Sequence, residues 1–180
     1  RPEVKTVLAG GKLGTSLRKS ATLKKEFGLN EKEIAYAYKT SGTAVGDSVL
    51  LSTAEDLIKV FPKMNVDGKI GRQVYQAPEI LKEMAATGQL HDTVLIGLGT
   101  NGTFNSSYFE EIMALLKGKE VYWVNVYAPN VRWQNTVNDT LSKLGKKYKN
   151  FHLIDWNKEA QNHPEWFYDD QTHPKPTGVK

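Results

Sequence analysis

Residues 93–99 read TVLIGLG, an apolar run without the polar alternation of a strand that has one wet face. A strand can read this way when helices cover both faces of its sheet, which is the usual setting of parallel sheets. The run therefore predicts a sheet held between helical layers, and its neighbours agree. TAVGD (43–47) reads as a buried strand, followed by a helix over 49–61 with Leu50, Ala54, Leu57, Ile58 and Phe61 at helical spacing. MNVDGKI is a short strand entering a loop, and QVYQAPEILKEMAATG a helix stopped by Gly88. Ser107 and Glu110 have capping-box spacing ahead of YFEEIMALLKG, which ends on a glycine. VYWVNVY is a strand, NTVNDTLSKLGKKY a helix and FHLID a last strand. Strand–helix alternation with right-handed crossovers predicts a flavodoxin-like three-layer α/β/α sandwich on a five-stranded parallel sheet.

The 180 residues suffice for one domain with a sizeable core. No apolar run is long enough to span a bilayer. The chain starts at Arg1 without Met and is read as a piece of a longer protein. Residues 1–41 are expected to be a basic leader or linker, flexible at AGGKLGTS and partly ordered at best beyond it; residues 42–180 are the expected domain. Residues 1–40 hold nine Lys+Arg against four Asp+Glu, so the net charge of +4 belongs to this arm. A nucleic-acid domain would carry such charge on its folded face, so no nucleic-acid partner is expected. The arm suits an anionic cell surface or a solvated flank. Absence of cysteine excludes disulfides, a thiol nucleophile and thiolate metal sites.

The corner GDS (46–48) raises a choice. Asp and Ser are common helix caps. A serine there also faces the crevice beyond the strand's carboxyl end, where open α/β sheets bind ligands. Three further loops decide in favour of chemistry: DGKIGRQ, GLGTNG and DDQTHP. Acyl transfer needs a hydroxyl, a base, a group to orient the base, and donors for the oxyanion. Ser48 can be the hydroxyl, His173 the base and Asp170 the orienting carboxylate. The N–H groups of Ser48 and Gly71, with the Asn101 amide, can form the oxyanion hole. Gly68 competes with Gly71, and Asp169 with Asp170. His91, His152 and His163 have no comparable setting. No His and carboxylate group has metal-ligand spacing, and this chemistry requires no metal or other cofactor.

GDS, GTNG and DxxH in this order and spacing resemble the SGNH (GDSL-like) hydrolase superfamily, whose Ser, Gly, Asn and His stand here as Ser48, Gly71, Asn101 and His173. GRQ favours Gly71 over Gly68, and the family's spacing favours Asp170 over Asp169. More narrowly, VGDSV, DGKIGRQ, GTNG, VNVYAPNVRWQN and DQTHPKPTG resemble the extracellular C-terminal catalytic domain of the peptidoglycan O-acetyltransferase A family. That resemblance implies acetyl transfer through an acetyl-Ser48 intermediate to the 6-hydroxyl of a muramoyl residue. It further implies a donor delivered by an N-terminal membrane acyltransferase domain, and a place on the extracellular face of a bacterial membrane. As a fragment the domain is expected to be monomeric.

Arg72 and Gln73 are expected to touch substrate or hold the oxyanion loop. Trp133, beyond Pro129, is the expected substrate-facing aromatic. Two alternatives stand beside the transferase: an acetyl esterase acting on carbohydrate or lipid esters, and a carbohydrate-binding module on an inactive scaffold.

Overall fold

The computed structural model describes residues 17–180. Five parallel strands, β1 (Ser41–Gly46), β2 (Lys63–Gly68), β3 (Thr93–Gly97), β4 (Glu120–Val124) and β5 (Phe151–Ile154), form a sheet of order β2-β1-β3-β4-β5. The chain leaves β1 in one direction to make β2, then returns across it to make β3. The carboxyl end of β1 is thus the topological switch point, where such sheets hold ligands.

Among the described residues eight α-helices accompany the strands: α1 (Leu17–Phe27), α2 (Glu31–Lys39), α3 (Ser48–Val60), α4 (Ala77–Ala86), α5 (Ser106–Leu115), α6 (Gln134–Gly145), α7 (Trp156–Ala160) and α8 (Pro176–Val179). Successive strand residues point to opposite faces. Val45, Val94, Ile96, Val121 and Trp123 meet Leu81, Phe109, Ile112, Val137 and Leu141 from α4, α5 and α6 in the larger core. On the other face Ala44, Met64 and Val66 pack with Leu50, Ala54 and Ile58 of α3. Burying one such aliphatic side chain stabilises the fold by roughly 1.5–3 kcal/mol.

That second face departs from the expectation of full cover. Leu95 is only partly buried and Ile154 is exposed, because α3 reaches no further than β3. A cavity of about 230 Å³ remains, lined by Val49, Leu95, Val124, Ile154, Trp156 and Val179 among others.

Local signals account for other differences. Residues 17–39, expected to be partly ordered, form α1 and α2, with Leu23, Ile34 and Ala37 buried and α2 packed on α3. Asn30 and Glu33 make a reciprocal capping box that starts α2. The expected flexible stretch at 9–16 lies outside the described residues. The cap of α5 is Asn105, whose Oδ1 accepts the Ser107 N–H at 2.9 Å, so Ser107 is inside the helix instead of capping it. β4 stops at Val124, opposite Ile154 where β5 ends, and the side chain of the next residue, Asn125, donates from Nδ2 to Asp155 Oδ1 at 2.8 Å. Residues 74–76 form a 3₁₀ turn before α4, which carries Pro78 in its first turn.

Candidate active site

β1, β2 and β3 end level. Gly46 pairs with Gly68 on one side and Gly97 on the other. The loops that follow carry Ser48, Gly71 and Asn101, so these three residues are brought together at one edge of the sheet. Hydrogen bonds hold the edge: Asp47 N–H donates to Gly97 O (3.0 Å) and Lys69 N–H to Gly46 O (3.1 Å). Gly46 has no room for a side chain. A Cβ there would lie 2.4 Å from the Leu50 Cβ and 2.9 Å from Gly97 O. That closeness lets α3 start immediately after the strand.

The two polar residues of the corner divide the work. Asp47 is the cap, its Oδ1 accepting the Val49 N–H at 2.9 Å. Ser48 is the first residue of α3 and its hydroxyl is free for another partner. Oγ lies 2.8 Å from His173 Nε2. The imidazole Nδ1 lies 2.5 Å from Asp170 Oδ2. An ionised carboxylate only accepts, so Nδ1 carries the proton and Nε2 is left to accept from Ser48.

The loop bearing His173 is built locally. Phe167 and Pro174 bridge antiparallel, Tyr168 N–H donates to His173 O (3.0 Å), and Gln171 turns with a φ of 56°. Asp170 Oδ1 accepts the N–H groups of Thr172 and His173, both at 3.0 Å. Partial burial pushes the Asp170 carboxyl up, but these two N–H groups and the imidazole outweigh it and hold the group below its ordinary range. Asp170 therefore stays ionised while it orients His173. Asp169 is exposed. The Asn130 amide braces the turn from outside, donating to Asp170 O at 3.3 Å.

On the donor side, Asn101 Nδ2 donates to Arg72 O at 3.1 Å, which ties the Asn101 loop to the residue after Gly71. The second N–H of that amide remains for a ligand. Gly71 has a φ of 77°, so glycine is needed there for its backbone and not for lack of space. Ser48, first in its helix, has no intrahelical acceptor for its N–H.

Of the two expected roles of Arg72, contact with substrate or a hold on the oxyanion loop, its contacts are of the second kind. Its guanidinium is buried and donates to Gly46 O (3.2 Å), Asp67 O (2.8 Å) and Asp67 Oδ1 (2.7 Å). It clamps the ends of β1 and β2 together. Gln73 Nε2 donates to Asn101 O (2.7 Å), and Trp133 Nε1 to Thr100 O (2.8 Å). Both half-buried side chains thus brace the Asn101 loop. The remaining histidines are engaged away from this edge: His91 with Asn65, His152 with Glu120, and His163 with Glu165 and the Trp166 ring.

Asp47 has a property that its sequence position did not reveal. It is almost fully buried, and its Oδ2 makes no hydrogen bond of good geometry. Burial raises its pKa from 3.8 to about 6, against the pull of the Val49 and Leu50 N–H groups, the Thr100 side chain and His173. A carboxyl with a raised folded pKa stabilises the fold while protonated, and that contribution is lost as pH rises. Between pH 3.8 and about 6 the loss amounts to about 3 kcal/mol. Asp47→Asn keeps a cap oxygen and cannot ionise, so its melting temperature should lack this part of the pH dependence. Parallel curves of Tm against pH for the two proteins would refute the assignment.

The fold and the sequence were compared with those of known proteins. No protein-family model matches the chain. The C-terminal catalytic domain of Streptococcus pneumoniae peptidoglycan O-acetyltransferase A (OatA), solved with a methylsulfonyl adduct, superposes with a TM-score of 0.67. Identity is 25%, over 76% of this chain and 80% of that one. A GDSL-like lipase of Bacteroides thetaiotaomicron shares the fold at a TM-score of 0.56 and 18% identity, covering 89% of this chain and 90% of that one. The chain belongs to the SGNH (GDSL-like) superfamily. Its sequence is 32% identical over 146 residues to the O-acetyltransferase OatA of Staphylococcus aureus, covering 79% of this chain and 24% of that protein. The chain thus spans less than a quarter of the length of the curated relatives it matches.

Proposed function

We propose that this domain is a serine O-acetyltransferase that moves acetyl groups onto peptidoglycan. The observation that carries the reading is the Ser48–His173–Asp170 chain, with contacts of 2.8 and 2.5 Å, set at the switch point of the sheet. His173 Nε2 takes the Ser48 proton as Oγ attacks the acetyl carbonyl of the donor. The tetrahedral oxyanion is met by the N–H groups of Ser48 and Gly71 and the free N–H of Asn101. The imidazolium returns the proton to the departing group, leaving acetyl-Ser48. His173 then deprotonates the acceptor hydroxyl, which attacks the acetyl group and releases Ser48.

The acceptor in this reading is the 6-hydroxyl of a muramoyl residue in a glycan strand. The parent carries the domain on the extracellular face of a bacterial membrane, and a membrane acyltransferase domain supplies the acetyl donor. The domain itself works as a monomer and needs no cofactor. The names of the OatA relatives support the acceptor class. Transfer competes with water at about 55 M, but a well-oriented bound hydroxyl can reach an effective molarity of ~10⁵ M or more.

The deciding experiment supplies a chromogenic acetyl ester and defined peptidoglycan oligomers, with products weighed by mass spectrometry. Acetylated muramoyl oligomers formed by wild type and absent with Ser48→Ala support the reading. Free acetate as the only product favours the esterase alternative, and no turnover above a boiled control favours a binding module.

Asn101→Ala should lower kcat about 10²- to 10³-fold, the usual effect of losing one oxyanion donor. The change should fall on kcat, because the donor acts on charge that develops during reaction. A change confined to KM would assign Asn101 to ground-state binding.

A further inference from the structure

Among the described residues seven large hydrophobic side chains are exposed, and four of them, Ile70, Tyr75, Tyr108 and Tyr168, belong to the segments that build the candidate site. Ile70 precedes Gly71, and Tyr75 lies shortly beyond Gln73, which holds Asn101. Tyr108 stands in the first turn of α5, where the Asn101 loop enters the helix. The Tyr75 and Tyr108 rings lie 6.1 Å apart at 54°, so they bridge the two loops that carry Gly71 and Asn101. Tyr75 is 55% exposed and Tyr108 38%. Tyr168, 53% exposed, rises from the loop of the base, its own N–H bonded to His173 O at 3.0 Å.

Core packing does not explain these rings. Aromatic side chains are placed at a surface at the cost of hydrating their faces, and contiguous exposed patches mark binding sites. Tyrosine pairs a flat apolar face with a polar edge, the complement of a pyranose ring with its axial C–H face and equatorial hydroxyls. A small acetyl ester needs none of them. A linear glycan crossing Ser48 would meet rings from both loop systems.

We propose that Tyr75 and Tyr108 form a stacking subsite for a sugar of the acceptor strand next to the reacting residue, with Tyr168 contacting the strand at the loop of the base. The proposal deepens the acceptor reading above and rests on it. Contacts to sugars remote from the reacting hydroxyl hold that hydroxyl against acetyl-Ser48, so they raise the rate of transfer as well as affinity. They do nothing for attack by water. The subsite therefore sets the partition of the acetyl-enzyme between sugar and water.

The test measures, for wild type, Tyr75→Ala, Tyr108→Ala and Tyr75→Phe, the ratio of acetylated muramoyl oligomer to free acetate as oligomers lengthen. A companion measurement titrates the same oligomers into Ser48→Ala and into Ser48→Ala/Tyr75→Ala by calorimetry. Wild type should favour longer oligomers. Each alanine variant should lower the transfer-to-hydrolysis ratio at least tenfold for them, and Tyr75→Phe should retain it. Glycan affinity should fall tenfold or more with the double variant. Transfer and hydrolysis falling together would show a structural role and overturn the subsite. Equal affinity of the two Ser48→Ala proteins for the oligomers would overturn it as well. If wild type binds oligomers through Tyr75 yet releases only acetate, the subsite stands and the transferase reading fails.

Discussion

Ser48→Ala should lower acetyl-ester turnover on the order of 10⁶-fold, the scale of losing a hydroxyl nucleophile from a preorganised triad. The fold should survive. Ser48 is not the cap of α3; Asp47 holds that position through the Val49 N–H. The substitution removes one side-chain hydrogen bond, to His173, worth about 1 kcal/mol. The expected result is thus a melting temperature near wild type beside an almost inactive protein. A sulfonyl fluoride provides an independent measurement. It should label wild type at Ser48 alone, located by peptide mass mapping, and leave the alanine variant unlabelled. Labelling at another residue, or turnover that survives the substitution, would remove Ser48 from the chemistry.

Asp170→Asn should cost about 10⁴ in kcat, because it reverses the proton on the imidazole. An asparagine oxygen can still accept from the Thr172 and His173 N–H groups, so the turn should persist. The group now facing Nδ1 is a donor. His173 must then carry its proton on Nε2 and can no longer accept one from Ser48. The neighbouring Asp169→Asn should stay within a few-fold of wild type, since that exposed side chain has no role in the turn. Kinetics of the two variants side by side, with melting curves, check the pair. Equal losses, or the larger loss at Asp169, would overturn the assignment.

Several of these residues were legible in the sequence because the features are local. GDS, GTNG and DxxH each place a candidate residue a fixed few positions from a strand end or a turn, and the level carboxyl ends of β1, β2 and β3 bring the first two together with Gly71. The reach from Asp170 to His173 is likewise one local turn. The capping box at Asn30 was equally local, and reading it would have predicted α2.

What the sequence by itself determined is the alternation of strands and helices, hence a parallel three-layer sheet, and which candidate side chains stand at its edge. Those follow from periodicity, turn chemistry and short motifs, which act over a few residues. Only the tertiary structure decided which polar residues face a ligand and which hold the loops. Arg72, beside Gly71, reads in the sequence as either a substrate contact or a loop holder; its guanidinium is buried against Gly46 and Asp67, partners supplied by two strands. Trp133 turns its indole N–H to Thr100, and Gln73 its amide to Asn101, each across a separation of about thirty residues. The exposed tyrosines meet only because α5 and the 3₁₀ turn before α4 pack together. The direction a side chain faces depends on long-range neighbours, and no local pattern in the chain encodes them.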